Sequence, residues 1–181
     1  MKLLGISGAL RRESTNTKLI REAARLFEPS EFRLADLRLP LYDGDLEEES
    51  QKNGGLPAPI VKLCEDIAWA DAVVFSTPEY NKAPPGVFKN ALDWVSRAKP
   101  QPLIDKPVAV LSASAGGAGG QRAKSTAYLN LIPFKVRLIT DPEVNLGGSM
   151  NKFDDSGRLT DEMAEKLTGE LMAALKQAVA A

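Results

Sequence analysis

Three short runs in this sequence carry apolar or small residues at every position rather than at every second one: Leu3-Leu4-Gly5-Ile6, Ala72-Val73-Val74-Phe75 and Val108-Ala109-Val110-Leu111. A strand with one face in water alternates apolar and polar residues, whereas a strand covered on both faces does not. Each run leads into a loop rich in Gly, Pro or Ser and then into a segment with helical periodicity. Buried strands separated by helices must pair in parallel, because a crossover helix returns the chain to the same end of the sheet.

The first strand spans Lys2–Ser7 and the helix after it Thr15–Phe27. Leu19, Ile20, Ala23, Ala24 and Phe27 share one helix face, and Lys18, Arg21, Glu22 and Arg25 the other. Pro29 stops the helix. Residues 31–37 alternate around Phe32, Leu34 and Leu37, which predicts a more exposed strand. Residues 40–55, with the acidic run Glu47-Glu48-Glu49, read as a solvated loop. Residues 57–70 repeat apolar positions at helical spacing (Ile60, Leu63, Cys64, Ile67, Ala68), which makes Cys64 a packed thiol. A third strand is expected over 71–77, a helix over 85–97, a fourth strand over 107–112, a helix over Gln121–Leu131 and a fifth strand over 135–139. A last helix begins near Asp161, with Thr160 as N-cap and Met163, Leu167, Leu171, Ala174 and Leu175 as its inner stripe. Five strands alternating with five helices fit a flavodoxin-like three-layer α/β sandwich with a five-stranded parallel sheet in the order 2-1-3-4-5 better than a Rossmann-type sheet. In either, ligands bind outside the carboxyl ends of the strands, so function is expected in the loops after strands one, three and four.

At 181 residues the chain is expected to form one domain, 1–181, with a substantial core. Lys plus Arg number 23 and Asp plus Glu 24, a net charge of -1. That balance argues against a nucleic-acid partner, which calls for a basic face, and against a strongly acidic electron carrier. One cysteine allows no intrachain disulfide, and no apolar stretch approaches the ~20 residues of a membrane span. The default expectation is a cytoplasmic protein. Histidine is absent, which removes His-based triads, most metal sites and the usual general base; no metal site is expected. Catalysis would then use other side chains or a borrowed cofactor.

The first loop, Ser7-Gly8-Ala9-Leu10-Arg11-Arg12-Glu13-Ser14-Thr15-Asn16, opens a helix. A helix N-terminus presents free N–H groups and a positive dipole end. Ser7, Ser14, Thr15 and Asn16 add neutral donors, and Arg11 and Arg12 add charge that can grip a phosphate monoester. The loop lacks the Gly-Lys-Ser/Thr of a P-loop and the Gly-x-Gly-x-x-Gly of a dinucleotide site. The loop Thr77-Pro78-Glu79-Tyr80-Asn81-Lys82-Ala83-Pro84-Pro85-Gly86 is stiffened by proline; its N–H groups at Glu79, Tyr80 and Asn81 lack obvious partners and could meet a planar polar ring. The loop Ser112-Ala113-Ser114-Ala115-Gly116-Gly117-Ala118-Gly119-Gly120 allows close backbone approach to a ligand. Each loop also admits a plain structural account: Ser14 as an N-cap, a rigid proline turn, a flexible linker.

Taken together, four stretches resemble the NADPH-dependent FMN reductases, the flavodoxin-like group that includes bacterial quinone and chromate reductases. They are Gly8-Ala9-Leu10-Arg11 with Ser14 and Asn16, Thr77-Pro78-Glu79-Tyr80-Asn81, Pro85-Gly86-Val87-Phe88-Lys89-Asn90-Ala91-Leu92-Asp93-Trp94, and the loop from Gly116 to Gly120, in order over about residues 2–148. The resemblance implies FMN, with phosphate at Arg11, Ser14 and Asn16 and the isoalloxazine ring along Pro78, Glu79, Tyr80 and Asn81. The backbone of Ser114, Gly116 and Gly117 would meet the other side of the ring, and Ser7, Ala9, Leu10, Thr15 and Ala113 would complete the cofactor contacts. The helix of Trp94 is expected beneath the substrate side. Ala9 and Ala113 depart from the family, which usually or often has serine there; a lost phosphate hydroxyl at Ala9 would cost about 1 kcal/mol.

The implied activity is hydride transfer from NADPH or NADH to FMN and then to a quinone, free flavin, azo dye or metal oxyanion such as chromate, with no catalytic side chain. A homodimer or homotetramer is implied as well, and the helix carrying Tyr128 is a candidate contact. A non-catalytic FMN electron-transfer module and a flavin-free nucleotide-binding domain are the alternative readings.

Overall fold

The computed structural model describes residues 1–181. Its strands are β1 (Lys2–Ser7), β2 (Glu31–Ala35), β3 (Ala72–Thr77), β4 (Pro107–Ala113), β5 (Arg137–Ile139) and β6 (Asn145–Leu146). Its helices are α1 (Thr15–Phe27), α2 (Gly44–Lys52), α3 (Ala58–Trp69), α4 (Gly86–Val95), α5 (Gln121–Leu131) and α6 (Glu162–Ala180). The sheet runs β2-β1-β3-β4-β5, all parallel, as a flavodoxin-like sheet does.

Alternate residues of each central strand feed two separate cores, which is why the strands read as unbroken apolar runs. Leu4, Ile6, Val73, Phe75, Val108 and Val110 pack with Leu63 and Ile67 of α3, Phe88 and Leu92 of α4, and Leu131 of α5. Leu3, Ala72, Val74, Ala109 and Leu111 pack on the opposite face with Leu19 and Phe27 of α1 and Leu171, Met172 and Leu175 of α6. Gly5 lets α1 approach β1: a Cβ there would stand 2.3 Å from Cγ2 of Ile20.

The structure departs from the sequence reading at several elements. The second strand ends at Ala35, not at residue 37. Residues 44–52 of the expected loop form α2, which buries none of its residues and so leaves no apolar stripe for periodicity to reveal. Asp43 caps it by accepting from Asp45 N, and Asp45 and Glu47 favour the positive end of the helix. Glu47 is not a freely solvated charge: it accepts from Arg97 Nε at 2.8 Å and from the Tyr42 hydroxyl at 2.8 Å. The two-residue strand β6, too short for any pattern, extends the sheet beside the end of β4. The N-cap of α6 is Asp161, which accepts from Ala164 N at 2.9 Å, and not Thr160. Met163 is exposed, so the inner stripe begins one residue later, at Ala164.

Candidate functional site

Parallel register aligns the ends of the central strands. Ser7 of β1 pairs with Ser76 of β3, and Thr77 of β3 with Ser112 of β4. The loops after these strands therefore leave the sheet side by side and form one crevice.

The first loop supplies donors. Ser14 is buried and caps α1 by accepting from Thr17 N at 3.3 Å. The N–H groups of residues 10–16 donate to no acceptor in the chain, so the positive end of α1 is open. Arg11 and Arg12 are exposed and form no ion pair, whereas Glu13 pairs with Lys18 at 3.4 Å. A cleft of about 320 Å³ beside this loop is lined by Ser7, Leu10, Arg11, Arg12, Thr17 and Arg38. Arg38 was not legible as a site residue. It donates to the Leu10 carbonyl at 2.8 Å while Asp36 holds its other guanidinium nitrogen at 3.0 Å.

Other residues of the predicted set hold the loops from below. Asn16 is buried; its Nδ2 donates to the Ala113 carbonyl at 3.0 Å, and its Oδ1 accepts from Ser76 Oγ at 2.8 Å and Ala113 N at 3.1 Å. One side chain thus ties α1, β3 and β4 together. Ser7 Oγ accepts from Ala9 N at 3.3 Å and from Thr17 Oγ1 at 3.0 Å, and Thr15 Oγ1 meets Ser149 Oγ at 3.0 Å. Ala113 is buried, with its methyl in the second core.

The loop after β3 closes as a tight turn. Tyr80 N donates to the Ala83 carbonyl at 3.0 Å and Ala83 N donates back at 3.1 Å, with Asn81 and Lys82 at φ of 51° and 67°. The N–H of Tyr80 is therefore spent within the turn, contrary to the expectation of a free group; those of Glu79 and Asn81 donate to no acceptor. Pro78 is buried, Tyr80 and Asn81 are exposed, and the Glu79 carboxylate turns toward α5.

The glycine-rich loop is anchored through β6. Ser114 N donates to the Leu146 carbonyl at 3.0 Å, and Ser112 Oγ donates to Asn145 Oδ1 at 3.0 Å. Gly119 cannot be replaced freely: its φ is 62°, and a Cβ would meet the Asn145 backbone at 2.5 Å. Gly117 has open space where a side chain would sit, so a flat ring can lie against the loop. Beneath it the fully buried Lys124 donates to Glu143 at 3.0 Å, and Glu143 also accepts from Asn145 at 2.9 Å. Burial pulls the Lys124 ammonium below the usual lysine range, and the bond from Asn145, then that from Lys124, holds the Glu143 carboxyl below its ordinary value.

Unspent N–H groups, unpaired arginines and an open glycine wall in one crevice fit a phosphorylated ligand with a planar head. The family model described as NADPH-dependent FMN reductase matches residues 1–151. The chain belongs to that family. It is 40% identical to an NAD(P)H-dependent FMN reductase of Pseudomonas aeruginosa over 97% of this chain and 94% of the relative. It is 35% identical to a quinone reductase of Escherichia coli K12 over 96% of this chain and 93% of the relative. Among solved structures, the flavoenzyme NAD(P)H:(acceptor) oxidoreductase FerB of Paracoccus denitrificans superposes with a TM-score of 0.86 at 29% identity, covering 99% of this chain and 97% of that one. The protein is an NAD(P)H-dependent oxidoreductase of the FMN reductase and quinone reductase type, and its cofactors are FMN and NAD(P)H.

Two signature residues of this reductase act as fasteners. Asn90 Nδ2 and Trp94 Nε1 both donate to the Pro40 carbonyl at 2.9 Å, and Asn90 Oδ1 accepts from Tyr42 N at 2.7 Å. Trp94 is fully buried and packs edge-on against Tyr42, fixing the chain that leads into α2. Cys64 is half-buried at a second cleft, of about 760 Å³, walled by α2, α3 and residues 96–102. Burial, with a smaller push from Glu65, raises its thiol to about 11, so almost none is thiolate at neutral pH. No helix is long and apolar enough to cross a membrane.

Proposed function

We propose that FMN lies across the carboxyl ends of β1, β3 and β4. Its phosphate sits on the open N-terminus of α1 with Arg11, and its ring lies between the turn at residues 78–81 and the backbone of Ser114, Gly116 and Gly117. The observation that carries this reading is the run of unspent N–H groups at residues 10–16 beside two unpaired arginines. When bound, the flavin supplies a two-electron relay from NAD(P)H to an acceptor. The chain supplies position: Ser14, Thr15 and Asn16 fix the start of α1, Ser7 and Ala9 its approach, and Tyr80 and Asn81 the exposed rim. The acceptors proposed are quinones, free flavin, azo dyes and metal oxyanions such as chromate. The whole of 1–181 is proposed to work as one FMN-binding unit in the cytoplasm.

Titration with FMN should restore flavin absorption to cofactor-free protein, and NADPH should bleach it under anaerobic conditions. A chain that binds no FMN would overturn the reading.

A homodimer or homotetramer is part of the proposal. Leu129 near the end of α5 and Ile132 just beyond it are 66% and 62% exposed, while Tyr128 is half-buried against Lys124. Light scattering at micromolar concentration should find an assembly that Leu129→Glu with Ile132→Glu reduces to a smaller one; a monomeric wild-type chain would refute this.

A further inference from the structure

Three helices start at the crevice, and their first turns are satisfied in different ways. The first N–H groups of α1 are open apart from the Ser14 cap. At α4 the cap position is Pro85, which has no side-chain acceptor. At α5 the cap position is Gly120, which has no side chain at all, yet every N–H of the first turn is satisfied. Gln121 N donates to the Ala118 carbonyl at 3.1 Å and Lys124 N to the Gly120 carbonyl at 3.0 Å. The two in between, Arg122 N and Ala123 N, donate to Glu79 Oε2 at 3.1 and 3.3 Å. The cap of α5 is thus borrowed from the loop after β3, 43 residues earlier in the chain.

We propose that Glu79 is a positioning residue for the flavin: by capping α5 across the crevice, its carboxylate clamps the turn at residues 78–81 to the glycine-rich loop and sets the spacing of the two walls of the ring slot. The proposal rests on the FMN placement above and deepens it. The geometry gives the clamp leverage at both ends. On one side, Glu79 lies between Pro78, which is buried, and the Tyr80–Ala83 turn, so its backbone cannot swing without moving the turn. On the other, the bonds reach the first turn of α5, which follows Gly119 and Gly120 directly. Both glycines are buried at positive φ, Gly119 tight against the Asn145 backbone and Gly120 against Ser112, so a shift of that first turn is carried into the loop. A charged acceptor at a helix N-terminus also opposes the positive dipole end of α5. The first turn of α1, where Ser14 satisfies only Thr17 N, stays open to an anion.

The clamp acts on the ring and not on the phosphate, so its loss has a signature. Glu79→Ala should weaken riboflavin and FMN binding by the same factor, about tenfold on the scale of a lost N-cap. Glu79→Asp keeps the charge but shortens the reach by one methylene, and should behave like Glu79→Ala. Glu79→Gln keeps an acceptor oxygen at the same reach and should restore most of the affinity. In cofactor-free protein, hydrogen exchange at the Arg122 and Ala123 amides should quicken in the Ala and Asp variants and stay slow in Gln. Affinities are read by quenching of flavin fluorescence and folding by circular dichroism, so if the Ala variant does not fold, the contrast between Asp and Gln decides.

Unchanged affinities in Ala and Asp, a loss confined to FMN, or a Gln variant as weak as Ala would each overturn the clamp. Unprotected Arg122 and Ala123 amides in the wild-type chain would do so as well. Failure of the underlying placement shows separately, as a wild-type chain that binds neither flavin.

Discussion

Arg11 is the residue at which charge and geometry agree most fully. It is exposed, unpaired and set beside N–H groups that have no acceptor. A charge-assisted bond from it to phosphate is worth about 1.5–3 kcal/mol, and riboflavin has no phosphate to receive it. Arg11→Met should therefore weaken FMN by roughly 10- to 100-fold while leaving riboflavin nearly unchanged, as measured by fluorescence titration; an equal loss for both would place Arg11 elsewhere. The sequence exposed this residue because loop chemistry is written in residue types: two arginines, small hydroxyls and the start of a helix. It could not show which polar groups are already spent. Asn16 reads as a donor, yet all of its bonds go to Ser76 and Ala113. Glu79 reads as part of a ring-binding turn through its backbone, and nothing in the sequence shows that its carboxylate finds its partners on α5. Arg38 stands in no motif and reaches Leu10 only because β2 and β1 are neighbours in the sheet. Long-range pairing decides all three, and one chain read in order carries no record of it.

Elements were legible in proportion to the apolar surface they bury. The patterns of β1, α1 and α3 are plain in the sequence because each faces a core, whereas α2 buries nothing and β6 spans only two residues. Helix ends depend on a single bond and are harder to read, as α6 shows: Thr160 and Asp161 are both good caps by type, and only Asp161 accepts from Ala164 N. Asp161→Ala should cost about 1 kcal/mol in urea unfolding, while Thr160→Ala should cost a few tenths at most. The Asp161 carboxyl is held below its usual value, chiefly by the Lys152 ammonium bonded to it and then by the Ala164 N–H. A carboxyl lowered by folding stabilises the folded state above its unfolded pKa of about 4, and that contribution drains away as pH falls through the lower folded value. The difference between wild type and Asp161→Ala should accordingly be full at neutral pH and shrink in acid. A difference that is unchanged at acid pH would show that the cap is not the ionised carboxylate.

At the scale of the whole molecule, the parallel sheet brings its chemistry to one end. The loops after β1, β3 and β4 converge there, while the larger cleft between α2 and α3 shares none of their residues. With the flavin placed as proposed, pyridine nucleotide and electron acceptor would both meet it in the crevice at the ends of β1, β3 and β4. It has no histidine to relay protons, and its only thiol lines the other cleft and stays protonated. Donor and acceptor are therefore expected to take turns, with the donor product leaving before the acceptor enters. Double-reciprocal plots of initial rate against NADPH, taken at several quinone concentrations, should then give parallel lines, and Cys64→Ser should leave both their slope and most of the turnover in place. Intersecting lines would mean that the crevice holds both reactants at once. The second cleft would then become the first place to look for the other binding surface, with Cys64→Ser and Lys99→Ala as the probes that separate a role there from one at the flavin.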